Sequence, residues 1–481
     1  MNTLKFYFVT WNVATKSPSQ DLNALLDFPS QFNKHKPLPD FYVIGLQEVK
    51  SQPQNMVMDS IFTDQWTSTF NKILCRQGFV IAKSMRLQGI VILVYTQMKH
   101  LTRLRDIQAQ YTKTGFGGLW GNKGAVSVRF NLYGCSFCLI NSHLAAHEHA
   151  LSDRITACNI ILQEHTYELQ ETSNILYHDY VFWIGDLNFR LEFPAEINLT
   201  PEEIVEQLQK IEKDKYESLL KYDQLFAVKD SGEAFSEFSE GEIRFPPTYK
   251  YAINTYEYDL KRKPSWTDRV LYMVNPNNYE NIVLRADLIS YNHVPHYMVS
   301  DHKPVVAQFN VKSFADYTEK TVEFAPISRI WYIGDADFRT ECTLSHDVEI
   351  NQGDWIGIFD ANFHSLDDYI TYDYVSKVGV QETPHVAGES RTITLSFPVG
   401  SGVRTPGFYR FIYFSQPSND VKSVLGISDP FEVSSKEDQL VSIDPCSEAS
   451  GSTVNTDVFT DFTGLDVAKL SRHFSNDLSI D

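Results

Sequence analysis

The chain has few cysteines, few basic residues and no apolar run of the roughly 18 residues that cross a bilayer. Its six cysteines are irregularly spaced over 481 residues, which indicates reduced thiols and a cytosolic protein. The N-terminal run from Leu4 to Val9 lacks the basic segment and cleavage site of a signal peptide. A net charge of −19 argues against a broad nucleic-acid-binding surface, so an anionic substrate would need a local basic pocket.

Two covalent routes to phosphate hydrolysis are also missing. No cysteine is followed six positions later by arginine, which excludes a phosphocysteine loop of that spacing. The segment Asp335-Ala336-Asp337 lacks the surroundings of an aspartyl-phosphate loop and is typical of a solvated turn.

The hydrophobic pattern divides the chain into three segments. Residues 4–311 alternate β-rich apolar runs with helical stretches, including a predicted helix at 147–168 and another that begins at Thr200 with a capping box to Glu203. Short strands between turns follow, which is typical of a β-sandwich. We therefore predict an α/β domain at 1–315, an all-β domain at 320–433 and an acidic, Ser/Asp-rich, mostly disordered tail at 434–481.

Four polar clusters lie at or beside predicted strand ends: 45–48 (GLQE), 182–190 (FWIGDLNFR), 264–271 (PSWTDRVL) and 300–304 (SDHKP). Their convergence would form a site for metal-assisted phosphate chemistry. Glu48 suits Mg²⁺, which prefers one or two carboxylates with waters and phosphate, and the neutral amide of Asn12 can ligate or orient without adding charge. Taken alone, a glutamate in this position is more often a solvated loop acid.

Asp186 and Asn188 follow a strand on the same face of its exit loop. Asp186 is a candidate to orient or deprotonate an attacking water, and Asn188 to fix its position. The alternative is an Asx turn. Arg190 either binds phosphate or pairs with an acid.

Two histidines are candidate phosphate donors. His302 precedes the last strand of the first domain, where Asp301 would lie near the metal and Asp268 would hold the histidine tautomer. His143 ends another strand and is a second candidate. A lone histidine in such a position is more often structural or solvated.

The remaining polar segments surround these motifs. A glycine-rich loop at 111–124 suits either a lipid surface or a long hairpin. Basic clusters at Tyr249-Lys250 and at 261–263 suit the phosphates of a polyanion, although such runs are usually solvated.

Together, the motifs at 183–190 and 264–271 resemble the signature pair of the inositol polyphosphate 5-phosphatases. Residues 121–124 (GNKG), 142–147 (SHLAAH) and 300–304 resemble the intervening motifs of that family. The resemblance covers residues 4–311 and implies the two-sheet α/β sandwich of the endonuclease, exonuclease and phosphatase type. It also implies Mg²⁺-dependent removal of the 5-phosphate from phosphoinositides.

The resemblance also implies a role for each matching position. Glu48 would be the main Mg²⁺ ligand with Asn12 and Asp301 nearby. Asp186 and Asn188 would prepare the water, His143 and His302 would bind the 5-phosphate, and Asp268 would orient His302. The substrate-binding residues would be Tyr249, Lys250 and Lys261 at the 4-phosphate, with Asn122, Lys123 and Arg190. The loop before Pro264 is shorter and less basic than in the family, so the match of Lys261 is ambiguous by one residue.

Residues 320–433, with 354–359 (DWIGIF) and 407–411 (GFYRF), resemble the immunoglobulin-like SKICH domain. The pairing points to the skeletal muscle and kidney enriched inositol phosphatase subgroup or its proline-rich relative. In this family SKICH is a targeting or partner-binding module. An unrelated β-sandwich is the alternative.

These features predict hydrolysis of the 5-phosphate of PtdIns(4,5)P2, PtdIns(3,4,5)P3 or soluble inositol phosphates by in-line water attack. The alternatives are a metal-dependent nuclease of the same fold and a silent scaffold that acts through SKICH. We expect a cytoplasmic monomer, recruited to the plasma membrane or endoplasmic reticulum through a membrane or protein partner of SKICH, without nucleic acid.

Overall fold

The computed structural model describes residues 2–29, 36–50, 64–115, 120–210, 216–276, 283–315, 317–335, 337–380, 389–398 and 402–436. The predicted tail beyond residue 436 and part of the glycine-rich loop at 116–119 lie outside the described residues. None of the helices in the described ranges is long and apolar enough to span a membrane.

Within the described ranges, the first segment contains twelve strands and five α-helices. The strands are β1 Asn2–Asn12, β2 Phe41–Gln47, β3 Phe79–Leu87, β4 Ile90–Gln97, β5 Leu104–Gly115, β6 Trp120–Leu132, β7 Cys135–His143, β8 Tyr180–Asp186, β9 Ser239–Glu240, β10 Asp268–Val274, β11 Ala286–His293 and β12 Val305–Ser313. The helices are α1 Gln65–Arg76, α2 Leu151–Glu164, α3 Pro201–Gln209, α4 Glu217–Leu220 and α5 Gln224–Ser231.

These strands form two six-stranded sheets, in the orders β11-β12-β1-β2-β4-β3 and β5-β6-β7-β8-β10-β9. Each sheet has one parallel pair, β1 with β2 and β7 with β8, whereas the remaining pairs are antiparallel. Phenylalanine rings pack between the sheets, with ring centroids 4.6 Å apart for Phe8 and Phe182 and 5.4 Å apart for Phe6 and Phe137. This is the predicted two-sheet fold.

Two helix starts test the sequence reading. The capping box predicted at Thr200 is present, with Glu203 bonded back to the Thr200 amide. The helix predicted at 147–168 is shorter, Leu151–Glu164. Its first residues form a loop because His147 has a positive φ of 77° and Arg154 binds the carbonyl oxygens of Ala145 and His147.

The second segment is a β-sandwich, as predicted, with one short helix, α6 Val375–Val378. Its sheets have the orders β13-β15-β19-β18 and β14-β22-β20-β16-β17, and β21 also pairs with β20. The strands are β13 Val322–Phe324, β14 Trp331–Tyr332, β15 Asp337–Leu344, β16 Trp355–Asp360, β17 Thr371–Tyr374, β18 Gly379–Val380, β19 Arg391–Pro398, β20 Gly407–Ser415, β21 Ser423–Ile427 and β22 Phe431–Ser434.

The sandwich packs directly on strands β3 and β5 of the first segment. The Ile81 amide donates to the His364 carbonyl at 2.8 Å, and the Leu366 amide donates to the Ile81 carbonyl at 3.1 Å. Ile107 and Lys422 exchange a similar pair of backbone hydrogen bonds. Both contacts lie at irregularities in strand register, which free backbone groups from the ladder. Apolar residues of the sandwich, including Leu366, join the inter-sheet core of the first segment.

Because this core is shared, we predict that the two segments unfold in one cooperative transition. Leu366→Ala should lower the free energy of unfolding by about 2–5 kcal/mol, since the side chain is fully buried. Leu395→Ala, inside the sandwich alone, is the matched control and should shift the same transition. Urea unfolding followed by fluorescence and circular dichroism measures this. Two separated transitions, with Leu366→Ala affecting one of them, would contradict a shared core.

Candidate active site

The carboxyl ends of the two parallel strand pairs meet at one edge of the sheets. Asn12 ends β1, Glu48 follows β2, His143 ends β7 and Asp186 ends β8. The Asn12 Nδ2 atom donates to Asp186 Oδ2 at 2.9 Å and to Glu48 Oε1 at 3.2 Å. His143 Nε2 lies 3.4 Å from Asp186 Oδ2. The topology therefore brings four predicted site residues into one connected group.

Asp186 is the buried centre of this group. Burial favours its neutral form, but His302, His143 and Lys123 outweigh that effect and hold the pKa of the carboxyl well below its usual range. Asp186 is therefore ionised at neutral pH. A buried carboxylate with this ring of donors can accept a further hydrogen bond from a bound water or substrate.

His302 and Asp268 form a second buried pair beside Asp186. The distance from His302 Nδ1 to Asp268 Oδ2 is 2.9 Å, and that from His302 Nε2 to Asp186 Oδ2 is 3.8 Å. Burial opposes the histidine charge, but Asp268 and then Asp186 raise the pKa of His302 to about 9. The ring thus presents a charged Nε2 donor towards Asp186 at neutral pH.

Lys123 and His143 are a contacting pair on the other side. Their Nζ and Nε2 atoms are in hydrogen-bond contact. Burial lowers the pKa of Lys123 to about 8, partly offset by Asp186 and Glu48, and burial followed by Lys123 lowers the pKa of His143. The Lys123–His143 pair therefore carries one positive charge more readily than two. A cavity of about 320 Å³ opens beside the pair and is lined by Thr15, Glu48, Val49, Lys50, Gln88, Gly89, Asn122, Lys123 and His143.

Arg190 supports the site through two contacts with other predicted site residues. Its guanidinium donates to the Oδ1 atom of Asn188 and lies 4.3 Å from the centre of the Tyr249 ring. The Tyr249 ring in turn packs 4.6 Å from His302. The Asn188 Nδ2 atom donates to the Leu144 carbonyl at 3.1 Å. In this structure Arg190 therefore orients Asn188, and it forms no ion pair with an acid among the residues that the structure describes.

The basic residues assigned to substrate binding lie near one turn. Lys250 Nζ is 3.3 Å from Asp259 Oδ2, and the Lys261 amide donates to Asp259 Oδ1 at 3.2 Å. Lys261 is exposed, whereas Lys250 is half-buried. Asp259 thus ties both lysines to the same turn.

Two sets of donors have the chemistry of a metal site. Asp186, Asp268 and His302 have ligand atoms within 4.8 Å of one another, but hydrogen bonds from Thr248, Thr267 and His302 already converge on Asp268 Oδ2. Glu48 instead has a side chain 42% exposed that lines the cavity. Its partly exposed carboxylate, which Asn12 contacts at one oxygen, and the adjacent Asn12 amide form a donor set that fits Mg²⁺ better. Asp301 contributes its carbonyl oxygen to the Tyr251 amide and an electrostatic interaction to His302.

Several supporting residues escaped the sequence reading. Thr248 donates to Asp268 Oδ2 at 2.7 Å, and Ser300 Oγ donates to the Asn12 carbonyl at 2.6 Å. Ser300 lies inside the 300–304 motif, so its position in the sequence is a signal for such a role. Thr248 carries no local signal, because its partner is 20 residues away.

Arg269 has a role that its motif does not reveal. It is fully buried and binds Asp223 at 2.9 Å and Glu240 at 2.6 Å through opposite ends of the guanidinium. Asp223 also caps the N-terminus of α5. Arg269 therefore anchors strand β10 to the segments behind the site.

This arrangement has the chemistry of a class of site, that of metal-assisted hydrolysis: a buried carboxylate, two histidines, a lysine and an exposed carboxylate lie together at the ends of paired strands. Residues 9–308 match the family model described as Endonuclease/Exonuclease/phosphatase family 2, and residues 322–433 match the SKICH domain. The chain belongs to the inositol polyphosphate 5-phosphatase family, which confirms the resemblance seen in the sequence.

Similar proteins support this assignment. Inositol polyphosphate 5-phosphatase K of Mus musculus is 32% identical over 450 residues, which cover 89% of this chain and 90% of that protein. Phosphatidylinositol 4,5-bisphosphate 5-phosphatase A of Homo sapiens is 33% identical over 90% of this chain, but the chain spans only 42% of its length.

A solved structure shows the same fold for the first segment. The inositol polyphosphate 5-phosphatase domain of a synaptojanin, in complex with inositol (1,4)-bisphosphate and a calcium ion, is 30% identical with a TM-score of 0.52. The alignment covers 64% of this chain and 84% of that one. That relative holds a divalent ion, in agreement with the metal-donor chemistry seen here.

The Arg269 network yields a stability prediction. Arg269→Met should lower the free energy of unfolding by about 3–5 kcal/mol, because it leaves the carboxylates of Asp223 and Glu240 buried without their partner. Arg244→Met removes a fully exposed ion pair with Glu242 and should leave the unfolding midpoint unchanged. Urea denaturation of both variants measures the contrast. Equal midpoints for the two variants would refute the anchoring role.

Proposed function

We propose that this chain hydrolyses the 5-phosphate of phosphoinositides, including PtdIns(4,5)P2 and PtdIns(3,4,5)P3, by Mg²⁺-dependent in-line attack of water. The observation that carries this proposal is the ionised, buried Asp186 held between Asn12, His143 and His302. Family membership supports the reaction class. The substrates, the metal and the residue roles are our inference.

Asp186 would accept a hydrogen bond from the attacking water and aim its lone pair at phosphorus. The strongly lowered pKa of this carboxyl favours orientation of the water over storage of its proton. Asn188 would contribute its remaining Nδ2 hydrogen, since Arg190 and the Leu144 carbonyl fix the plane of its amide. The water is thus positioned by groups that are themselves held in place.

The charge that develops on the phosphate would meet two donors. His302, charged and oriented by Asp268, would donate from Nε2 to a phosphate oxygen. His143 and Lys123 would supply a second donor from the opposite sheet. Because the two histidines are buried, their hydrogen bonds to an anion are stronger than they would be in water.

Glu48 would hold the Mg²⁺ ion, with Asn12 and Asp301 close to it. The half-exposed Glu48 carboxylate at the cavity is the observation that fits this role. When bound, Mg²⁺ supplies Lewis-acid stabilisation of phosphate oxygens. Asn12 would keep Glu48 and Asp186 at a fixed separation through its shared amide.

Recognition of the neighbouring 4-phosphate would fall to Tyr249, Lys250 and Lys261. The stack of Arg190 on Tyr249 adds positive charge near the same loop. Asp259 holds Lys250 by an ion pair that the substrate phosphate would replace. Asn122, at the rim of the cavity with Lys123, would contact the substrate as well.

The predicted division at 1–315, 320–433 and 434–481 would separate these roles. The first segment would carry out hydrolysis, and the SKICH segment would recruit a cytoplasmic monomer to a membrane or protein partner. The match of residues 322–433 to SKICH supports this division. The broad packing of the sandwich on β3 and β5 suggests that recruitment would present the site in a fixed orientation.

Metal removal and substitution of Asp186 test the reaction. Phosphate release from PtdIns(4,5)P2 vesicles should require Mg²⁺ and stop in EDTA. Asp186→Asn should lower kcat by roughly 10²-fold or more, because the isosteric amide loses the negative charge that orients the water. Asp153→Asn, an exposed change on α2, is the matched control. Full activity in EDTA would refute the metal mechanism, and normal turnover in Asp186→Asn would refute its role.

Substitution of the lysines tests recognition of the 4-phosphate. Lys250→Met should lower kcat/KM for PtdIns(4,5)P2 by about tenfold or more, the effect of one lost charge-assisted hydrogen bond, and leave PtdIns(5)P hydrolysis unchanged. We expect a smaller effect in Lys261→Met because that side chain is exposed. Kinetic assays on both lipids measure the ratio. An equal loss on both lipids would show that Lys250 does not bind the 4-phosphate.

A further inference from the structure

A buried polar bridge joins the two sheets directly behind the candidate active site. Gln47 extends from β2 of one sheet and Asn141 from β7 of the other, and both side chains are completely buried. The Gln47 Nε2 atom donates to Asn141 Oδ1 at 2.6 Å and to Thr10 Oγ1 at 3.1 Å. Most neighbours in the inter-sheet core are apolar. A polar bridge in this layer therefore needs a reason.

The orientation of Asn141 is fixed by backbone groups of the opposite sheet. Its Nδ2 atom donates to the carbonyl oxygens of Leu46 at 3.0 Å and Val91 at 2.7 Å. Leu46 and Val91 are the last pair of the β2–β4 ladder, so Asn141 binds where that ladder ends. With both amide hydrogens used in this way, Oδ1 must face Gln47 as an acceptor.

Gly45 makes room for this bridge. A Cβ atom at Gly45 would lie 2.8 Å from Asn141 Cγ and 2.7 Å from Ile184 Cδ1, closer than real Cβ contacts come. The motif Gly45-Leu46-Gln47-Glu48 is thus a unit. Its glycine admits Asn141, its glutamine binds Asn141, and its glutamate faces the cavity.

The bridge lies within two residues of three candidate site residues on their own strands. Thr10 precedes Asn12 by two positions, Gln47 immediately precedes Glu48, and Asn141 precedes His143 by two positions. Apolar contacts between sheets are not directional and allow small sliding movements. Hydrogen bonds to backbone carbonyls are directional, and a polar group that is left without a partner in the core costs free energy.

We propose that Gln47 and Asn141 are positioning residues: they anchor the end of β2 to the opposite sheet, hold Glu48 in place at the cavity and thereby set the metal affinity of the site. This inference rests on the proposed role of Glu48 as a metal ligand. Neither the Gln47 nor the Asn141 side chain lines the cavity beside Glu48 and His143. They act as one unit, because each holds the other in its required orientation.

The test measures binding of Mn²⁺ alone to the full chain by electron paramagnetic resonance of the free ion, alongside the thermal unfolding midpoint without metal. Gln47→Met and Asn141→Leu should each raise the Mn²⁺ Kd by about tenfold or more, the usual effect of losing a partner that supports a ligand. The Mn²⁺ Kd of the double variant should be no higher than that of the single variant that binds Mn²⁺ less tightly. Thr10→Val is a milder change and should raise the Mn²⁺ Kd less. It provides a variant that can still be measured if Gln47→Met or Asn141→Leu fails to fold.

Leu139→Ala is the matched control. Leu139 lies on the same strand as Asn141, two positions further from the site and on the same face, and it is fully buried. It should lower the unfolding midpoint and leave the Mn²⁺ Kd unchanged. Three results would overturn the inference. The first is wild-type Mn²⁺ affinity in both Gln47→Met and Thr10→Val, and the second is additive losses of Mn²⁺ affinity in the double variant. The third is a loss of Mn²⁺ affinity in Leu139→Ala in proportion to the decrease in its unfolding midpoint.

The same experiment separates this inference from the proposed function. A wild-type chain that binds Mn²⁺ with the predicted dependence on Gln47, but releases no phosphate from phosphoinositide vesicles, refutes the function and supports the positioning role. If the chain releases phosphate but substitution of Gln47 and Asn141 leaves its Mn²⁺ affinity unchanged, the positioning role alone is refuted.

Discussion

The site depends on one constraint: the charge of Asp186 is fully buried and must be balanced by groups that the fold brings to it. The partners come from distant segments, with Asn12 on one sheet, His143 on the other and His302 just before β12. The parallel pairs β1–β2 and β7–β8 supply most of this convergence, because their carboxyl ends meet at one edge. The local charge balance therefore follows from the topology.

Sequence reasoning identified the strand-end residues because their signal is local. Asp186 and Glu48 each end or follow an apolar run, so their place at the sheet edge was predictable. It did not predict that Arg190 holds Asn188, or that Arg269 of a site motif turns away to Asp223. Those contacts depend on which strand lies beside which, and spacing along the chain does not contain that information.

The relation between the two segments was equally hidden. The change from helical to strand periodicity near residue 312 predicts two kinds of structure, but not that they share a core. The junction is made by backbone groups of Ile81 and Ile107, at irregularities in otherwise regular strands. Main-chain contacts of this kind place little demand on side-chain identity. Composition and hydrophobic pattern therefore carry little information about these main-chain contacts.

The net charge of −19 sets a last condition on the proposed reaction. An acidic protein repels an anionic lipid surface at long range, but charges separated by more than about 8 Å are largely screened at physiological ionic strength. Binding is then decided by the groups at the site, where Lys123 and His302 lie beside Asp186. His302 is buried and held by Asp268, and the partly buried Lys123 contacts His143, so both lose little freedom when a phosphate binds. A chain that is acidic overall can therefore bind an anion without a basic surface.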